Sequence, residues 1–365
     1  VNIQSLSTSS INTYNECSWK FFLNYVVKFP SEANKKALLG NMVHHVLEIL
    51  ARAKKTGHYL LKDKYTNIDY LVHIVWQRYA TNYANQFLFD ALEDKQFIYN
   101  QVNYVLNSKF NPLKLKIIES EKTFELNIQI SGFERDDGEF LRTRGIVDLI
   151  HEIDDDTIEI VDYKTGKRKD WTTGRLKNLD DFQKDLQLRL YALACTCLYK
   201  KYKNILVTIL YTNDGGAFTV SFSPEELSEL IDTLRSKYQI IKNDTKLERL
   251  KDDPIKNHWS CHKLCQFGKI EQLYVSKDGE LIKKECYPKE VEFLPNFIEK
   301  NNKKYYLQSK NTKSYCDVYH DIIKKEGLTI GTQTLINISI SAKGSNIKNK
   351  FSSTKEIIVD NNFHC

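Results

Sequence analysis

The chain has no run approaching the roughly 18 consecutive apolar residues that a membrane span requires. Its polar start, VNIQSLSTSS, lacks the charged-then-apolar pattern of a secretory signal. A soluble, cytosolic protein is expected, placed in the host cytoplasm if the chain is viral. Six prolines and 14 glycines among 365 residues exclude a collagen-like or low-complexity composition. Eight cysteines are too few for a disulfide scaffold at this length, so in a reducing compartment most should be free thiols or metal ligands. The single methionine is Met42 and residue 1 is Val, which implies an alternative start codon, processing, or a truncated reading frame with residues missing ahead of Val1. No internal repeat is visible.

What is present reads as globular: 41% hydrophobic, 27% charged and 12% aromatic residues exclude a disordered chain. Lys and Arg outnumber Asp and Glu by 53 to 47, an excess of +6 that favours a polyanionic partner without proving one. The length suits one large domain with an appendage, or two domains.

Residues 5–29 open with Ser and Thr capping candidates and continue with Tyr14, Phe21, Phe22 and Tyr25 at helical spacing, predicting a short helical entry. Leu39, Val43, Val46, Leu47 and Leu50 predict a stronger amphipathic helix over 36–56, stopped by Gly57. A further helical stretch covers about 66–108 in one or two pieces. From 115 the period shortens to two, and three strand patterns separated by the polar turns FERDDGE and DDD predict an antiparallel meander. Next come a helix over 180–200, the strands NILVTILYT and AFTVSF around the turn NDGG, and a helix over about 223–242 opened by SPEE. The crossover from the strand at 158–163 to that at 205–211 should be right-handed. Beyond about 243 the periodicity fades, leaving a hairpin around SKDGE and a Lys- and Asn-rich tail whose coding bias fits an AT-rich genome such as that of a virus or phage.

The stretch RGIVDLIHEIDDDTIEIVDYKTG carries the chemistry. A hairpin pivoting on Asp155 sets Asp148 opposite Asp162, about 5 Å apart at Cβ on one face, with Lys164 two residues on and therefore on the same face. Opposed carboxylates in an Ile- and Val-rich hairpin repel one another, and a divalent cation removes the conflict. Oxygen ligands suit Mg²⁺ or Mn²⁺. Lys164 would then orient or help deprotonate an attacking water and offset charge on a phosphorane-like transition state. The alternative leaves Asp148 and Asp162 as strand-end surface acids with Lys164 as their salt-bridge partner. His44, on the amphipathic helix, is by pattern alone a polar-edge or satisfied core histidine as readily as a ligand. Its neighbour His45, about 100° round the helix, is expected at the surface. Glu119 and Glu121 share a face in the strand leading to the hairpin, close enough in register to approach the metal, and receive no role.

In sequence order, GNMVHHVLE (40–48), GIVD (145–148), VDYKTG (161–166) and QLRLY (187–191) resemble the motifs of the PD-(D/E)XK nuclease superfamily, in the RecB-like branch that includes the CRISPR-associated exonucleases. The resemblance implies a restriction-endonuclease-like α/β fold, a mixed sheet flanked by helices, with an N-terminal helical segment and a C-terminal extension. It implies a metal-dependent DNA phosphodiesterase in which Asp148, Asp162 and the backbone carbonyl of Tyr163 hold the metal, His44 is the helix-borne ligand and Lys164 is catalytic. Gln187 and Tyr191 would position the scissile strand. Cleavage from an end of single-stranded DNA, and a helicase or recombination partner, come from the resemblance alone. Lys167 and Arg168, with Lys169 and Arg175, are basic residues near the site and should contact DNA phosphates.

Many RecB-like nucleases also hold a four-iron cluster with one cysteine before the core and three after it. Cys17 falls at the upstream place and Cys261, Cys265 and Cys286 downstream, although the spacing CxxxC and the distant Cys286 depart from the pattern. Zn²⁺ completed by His262 or His258, or no metal at all, stays open. Cys195 and Cys197 read as helix core, and Cys316 and Cys365 carry no signal.

The expected organisation is a nuclease domain over 1–268, with a helical front (1–110), a catalytic core (111–242) and a Cys-containing segment (243–268), followed by an extension of unknown role over 269–365. Two rival readings are a catalytically silent DNA-binding clamp within a larger DNA-processing complex and a hydrolase of another phosphate ester.

Overall fold

The computed structural model describes residues 5–29, 34–57, 68–131, 139–170, 173–213, 215–255, 259–309, 313–325 and 356–359. Most of the FERDDGE turn, Asp214 of the NDGG turn, and His258 lie outside the described residues. The helical front runs α1 (Thr8–Glu16), α2 (Ser18–Phe21), a π-helical turn (Phe22–Val26), α3 (Lys35–Thr56), α4 (Ile68–Asn82) and α5 (Ala91–Leu106). Then come β1 (Lys116–Ser131), β2 (Glu139–Asp154), β3 (Thr157–Lys164), α6 (Leu179–Gln183), α7 (Leu186–Leu198), β4 (Asn204–Tyr211), β5 (Ala217–Ser221) and α8 (Pro224–Asn243). The remainder comprises α9 (Trp259–Lys263), β6 (Ile270–Ser276), β7 (Leu281–Cys286), α10 (Pro288–Val291), β8 (Phe297–Lys300), β9 (Lys303–Ser309), α11 (Tyr315–Lys325) and β10 (Glu356–Val359). Among the described residues no helix is long and apolar enough to cross a membrane.

The chain divides into two compact units. The larger is built on residues 34–238 with 5–8 and 356–359, and the smaller on 9–29 and 239–325. The larger unit is an α/β fold around a mixed six-stranded sheet in the order β10-β1-β2-β3-β4-β5. β1, β2 and β3 form the expected antiparallel meander, β3 and β4 are parallel across the α6–α7 crossover, and β10 joins the edge parallel to β1. β3 occupies the middle of the sheet and is buried along almost its whole length, its acids Glu159 and Asp162 included.

Each helix begins and ends for local reasons. Asn34 caps α3 by accepting from Lys36 N–H at 2.9 Å, and Gly57 ends it in the left-handed conformation at φ +63°. Its buried stripe, from Leu39 through Met42, Val43, Val46 and Leu47 to Leu50, packs with α4 and α5 against Leu149, Val161, Tyr163 and Leu210 of the sheet. The stretch over 66–108 is two helices because Asp90 starts α5 by accepting from Leu92 and Glu93 N–H. The helix expected over 180–200 also breaks in two: Asp185 accepts from Gln187 and Leu188 N–H and restarts the chain as α7. Ser223 and Glu226 form the capping box that SPEE announces.

Gly145 lies opposite Phe124 in the β1–β2 ladder, and the buried Phe124 ring covers it. A Cβ there would meet the ring at 2.3 Å. Gly145→Ala is therefore expected to lower the stability of the fold by about 1–3 kcal/mol through overpacking, read as a lowered urea midpoint.

The smaller unit has its own core, in which Trp19, Phe22, Leu23, Val27, Leu247 and Phe267 pack together. The helical entry breaks at Cys17, whose extended backbone makes it the N-cap of α2. The SKDGE hairpin is present as β6–β7, and it belongs to a four-stranded antiparallel sheet, β7-β6-β9-β8, whose other two strands the fading periodicity concealed.

Candidate active site

The β2–β3 ladder pairs Leu149 with Val161 and Ile150 with Ile160, so one step further along Asp148 faces Asp162. A register shift does occur at the turn, between Glu152 and Asp154, and it stays there. Beyond Leu149 and Val161 the ladder opens, and Tyr163 N–H donates instead to Asp148 Oδ2 at 2.7 Å. His44 comes in from α3 with Nδ1 at 3.1 Å from Asp148 Oδ1. Gly40, one turn earlier, permits this approach, because a Cβ there would lie 2.7 Å from Thr165 Oγ1. Asp162 is only 2% exposed, and Lys164 Nζ lies 2.6 Å from its Oδ2, at ion-pair distance although that oxygen has no hydrogen bond of good geometry.

The charges are mutually dependent. Burial alone would push the His44 imidazolium down, but the Asp148 carboxylate beside it prevails and raises its pKa. Burial raises the Asp148 carboxyl, and the His44 charge and hydrogen bond, with Lys164 and Tyr163 N–H, more than reverse that. Asp162 is raised, by burial first and then by Asp148, against the opposing pull of Lys164. Lys164 holds its proton more tightly than a free lysine, since the two aspartates outweigh its burial. A buried acid held against its charged form, beside a second acid, is a place where a cation lowers the energy.

Of the two acids that share a face on β1, Glu121 joins the group: ligand atoms of His44, Glu121 and Asp148 lie within 4.8 Å of one another. An imidazole and carboxylates at this spacing fit a hard divalent cation such as Mg²⁺ or Mn²⁺. From α7, Gln187 Oε1 accepts from Lys164 Nζ at 3.3 Å, and Gln187 Nε2 donates to Tyr191 OH at 2.6 Å. Tyr191 is buried and stands edge-on to Phe124.

A family model described as the PD-(D/E)XK nuclease superfamily matches residues 5–270. The chain belongs to the PD-(D/E)XK nuclease superfamily. A subunit of the ATP-dependent helicase/deoxyribonuclease of Streptococcus uberis is 27% identical over 172 residues, 45% of this nuclease chain, which spans only 14% of that relative's length. A solved structure from Eubacterium rectale, named as an inferred exonuclease, covers 69% of this chain and 86% of its own at 9% identity and a TM-score of 0.41.

In the nuclease, the basic segment after Lys164 is partly committed to its own folding. Arg168 donates to Lys177 O at 3.0 Å with its guanidinium 4.7 Å from the Phe218 ring centre, and Arg175 pairs with Asp181 at 2.7 Å. Lys167 and Lys169 are exposed. His45 is half-buried against Tyr79, contrary to its expected surface position, because α4 packs alongside α3.

The smaller unit of the nuclease gathers four cysteines around one pocket: Cys17, Cys261, Cys265 and Cys316. Cys286 is not among them. It sits on the inner face of β7, 3% exposed, with Sγ 3.8 Å from Ile270 O, and packs with Val291 and Leu294. Cys316 takes its place because α11 returns to the pocket, tied by Tyr315 N–H to Lys269 O at 3.0 Å. Cys17 Sγ accepts from Lys20 and Leu250 N–H, both at 3.4 Å. Burial pushes the Cys261 and Cys316 thiols up to about 12. Lys20, Arg249, Lys251 and His262 also line the pocket.

Proposed function

We propose that this nuclease hydrolyses DNA phosphodiester bonds with Mg²⁺ or Mn²⁺ at the acids of β2 and β3, and that it works as an exonuclease on single-stranded ends. The observation that carries the reading is the convergence of His44, Asp148, Asp162 and Lys164 on one point of the central sheet. Asp148, Asp162, His44 and the Tyr163 carbonyl would hold the cation. When bound, it supplies Lewis acidity and a more acidic water. Lys164 Nζ would orient that water and offset charge gathering on the phosphoryl oxygens. Gln187 holds Lys164 in place and Tyr191 holds Gln187, so the pair positions the catalytic lysine as well as the strand. Lys167 would meet backbone phosphates, while Arg168 shapes the segment that presents it.

The Tyr191→Phe variant leaves the packing against Phe124 and frees Gln187. Its expected cost is about fivefold in cleavage rate, roughly the 1 kcal/mol of one hydrogen bond, with an unchanged melting temperature. Equal rates for variant and parent would remove Tyr191 from the site.

The helicase named in the Streptococcus relative supports a helicase partner for this chain, and a reading centred on DNA processing is a cytoplasmic one. For the cysteine pocket, a four-iron cluster suits the geometry better than Zn²⁺. Tetrahedral zinc with bonds of about 2.3 Å needs sulfurs about 3.8 Å apart. Among the described residues no three cysteines bring their sulfurs within 4.8 Å of one another. Backbone N–H donation to Cys17 Sγ is the kind of hydrogen bond that stabilises a cluster-bound thiolate.

End-labelled linear single-stranded DNA, circular single-stranded DNA and linear duplex, each with Mg²⁺, Mn²⁺ or EDTA, test the reading. Metal-dependent loss of the linear single strand alone is expected. Loss of the circle would replace end-dependent action with internal cleavage, and no loss of any DNA would contradict a nuclease acting on DNA.

A further inference from the structure

The helix that brings His44 to the acids also meets an aromatic pair at their edge. His44 Nδ1 reaches Asp148, and His45, about 100° round α3, meets the Tyr79 ring of α4 with centroids 6.1 Å apart and planes at 73°. Tyr83 follows Tyr79 by one helical turn. Its N–H donates to Tyr79 O at 3.0 Å, which continues the helix past Asn82 and sets the two rings nearly parallel, 19° apart with centroids at 6.3 Å. Both pack on the rim of the α3–α4–α5 core and remain half-buried, so each ring keeps surface open to solvent. The Tyr79 hydroxyl holds its proton more tightly than a free tyrosine, through burial first and then Tyr83, Glu48 and Glu121, against the opposing charge of Arg78. Glu121 is also the acid that meets His44 and Asp148. The aromatic pair therefore borders the candidate cation site, and the exposed Arg78 adjoins it.

A nuclease site holds two chemically different parts of its substrate. Cations and basic side chains take the phosphates, whereas the flat base beside them needs another surface, and carboxylates offer none. An aromatic face stacks any base, whatever the sequence. Bases of a duplex are already stacked and paired, so only an unpaired base reaches such a face without the cost of opening the helix.

We propose that Tyr79 and Tyr83 form a stacking shelf for an unpaired base of the DNA strand held at the acids, with Arg78 on an adjoining phosphate, and that this shelf selects single strands over duplex. The inference rests on the nuclease reading of the acids and adds to it the residues that recognise the strand.

Binding by the full-length Lys164→Ala protein in Mg²⁺, where cleavage is suppressed, tests the shelf. Fluorescence anisotropy compares a labelled thymidine homopolymer, the same deoxyribose-phosphate backbone without bases, and the thymidine strand annealed to its complement. The thymidine strand should bind more tightly than either of the others by about tenfold or more, the range for stacking one or two bases. Adding Tyr79→Leu and Tyr83→Leu, which keep apolar volume at the core rim, should bring the affinities together. Tyr79→Phe and Tyr83→Phe should preserve the difference, since stacking needs the ring and not the hydroxyl. Equal binding of the strands with and without bases, a leucine pair that keeps the difference, or a phenylalanine pair that loses it would overturn the shelf and leave the nuclease reading standing. Binding of no strand would also overturn the shelf, and the nuclease reading would fall with it only if the parent cuts no DNA.

Discussion

Replacing Lys164 with alanine should lower DNA cleavage by about 10²–10⁴-fold, the range for removing a positioned proton-transfer or charge-stabilising group. The loss should fall on turnover, with DNA binding retained through Lys167 and its neighbours. A second consequence separates catalysis from folding. Lys164 is the cation that faces Asp162, and it opposes the rise of that buried carboxyl's pKa. Without it, only the His44 charge offsets the repulsion between Asp148 and Asp162, so the metal-free variant should melt below the parent while added Mg²⁺ raises its melting temperature by more than it raises the parent's. Cleavage within a few-fold of the parent, measured on linear DNA at saturating Mg²⁺, would remove Lys164 from the chemistry.

On the proposal that the cysteine pocket holds a cluster, the Cys316→Ala variant should lose the cluster and the fold of the smaller unit, whereas Cys286→Ala should keep both. The contrast follows from placement: Cys316 lines the pocket with Cys17, Cys261 and Cys265, while Cys286 is packed inside the β6–β7 hairpin. Metal binding by such thiolate sets contributes on the order of 10 kcal/mol to folding, comparable with the whole stability of about 5–15 kcal/mol of a typical domain. Protein purified anaerobically should be brown, with iron and acid-labile sulfide in equal amounts. Cys316→Ala should be colourless and prone to proteolysis between residues 239 and 325. A brown Cys316→Ala, or a colourless, iron-free parent, would remove the cluster; zinc found in its place would keep the site and change the metal.

The β2–β3 hairpin was legible because its determinants are local. The acidic turn marks a pivot, period-two alternation carries the register outward, and the one irregularity, between Glu152 and Asp154, does not propagate to Asp148. The α3 helix was legible from its stripe and its Gly57 stop. What escaped depends on contacts distant in sequence or on backbone geometry that residue types do not signal. Glu119 and Glu121 share one strand face, and only when β1 is laid beside β2 is it clear that Glu121 meets His44 and Asp148 while Glu119 pairs with Lys55. Cys316 lies 51 positions after Cys265, and only the return of α11 past the second sheet brings it to the pocket. The burial of Tyr191 depends on the Phe124 ring that meets it from β1, and that ring has room only because residue 145 is glycine. The strand β10 joins β1 from the far end of the chain, where composition shows a Lys- and Asn-rich tail.

The central claim is that the acids meeting His44 and Lys164 on the central sheet form a metal-dependent phosphodiesterase centre. Its most direct test is the rate of nucleotide release from linear single-stranded DNA by the parent and by Asp148→Asn, each with saturating Mg²⁺ and with EDTA, after matched melting curves show both are folded. The account predicts release by the parent with Mg²⁺ only, and a rate for Asp148→Asn lower by about a thousandfold or more. A folded Asp148→Asn that releases nucleotide at the parental rate, or a parent indifferent to EDTA, would contradict it.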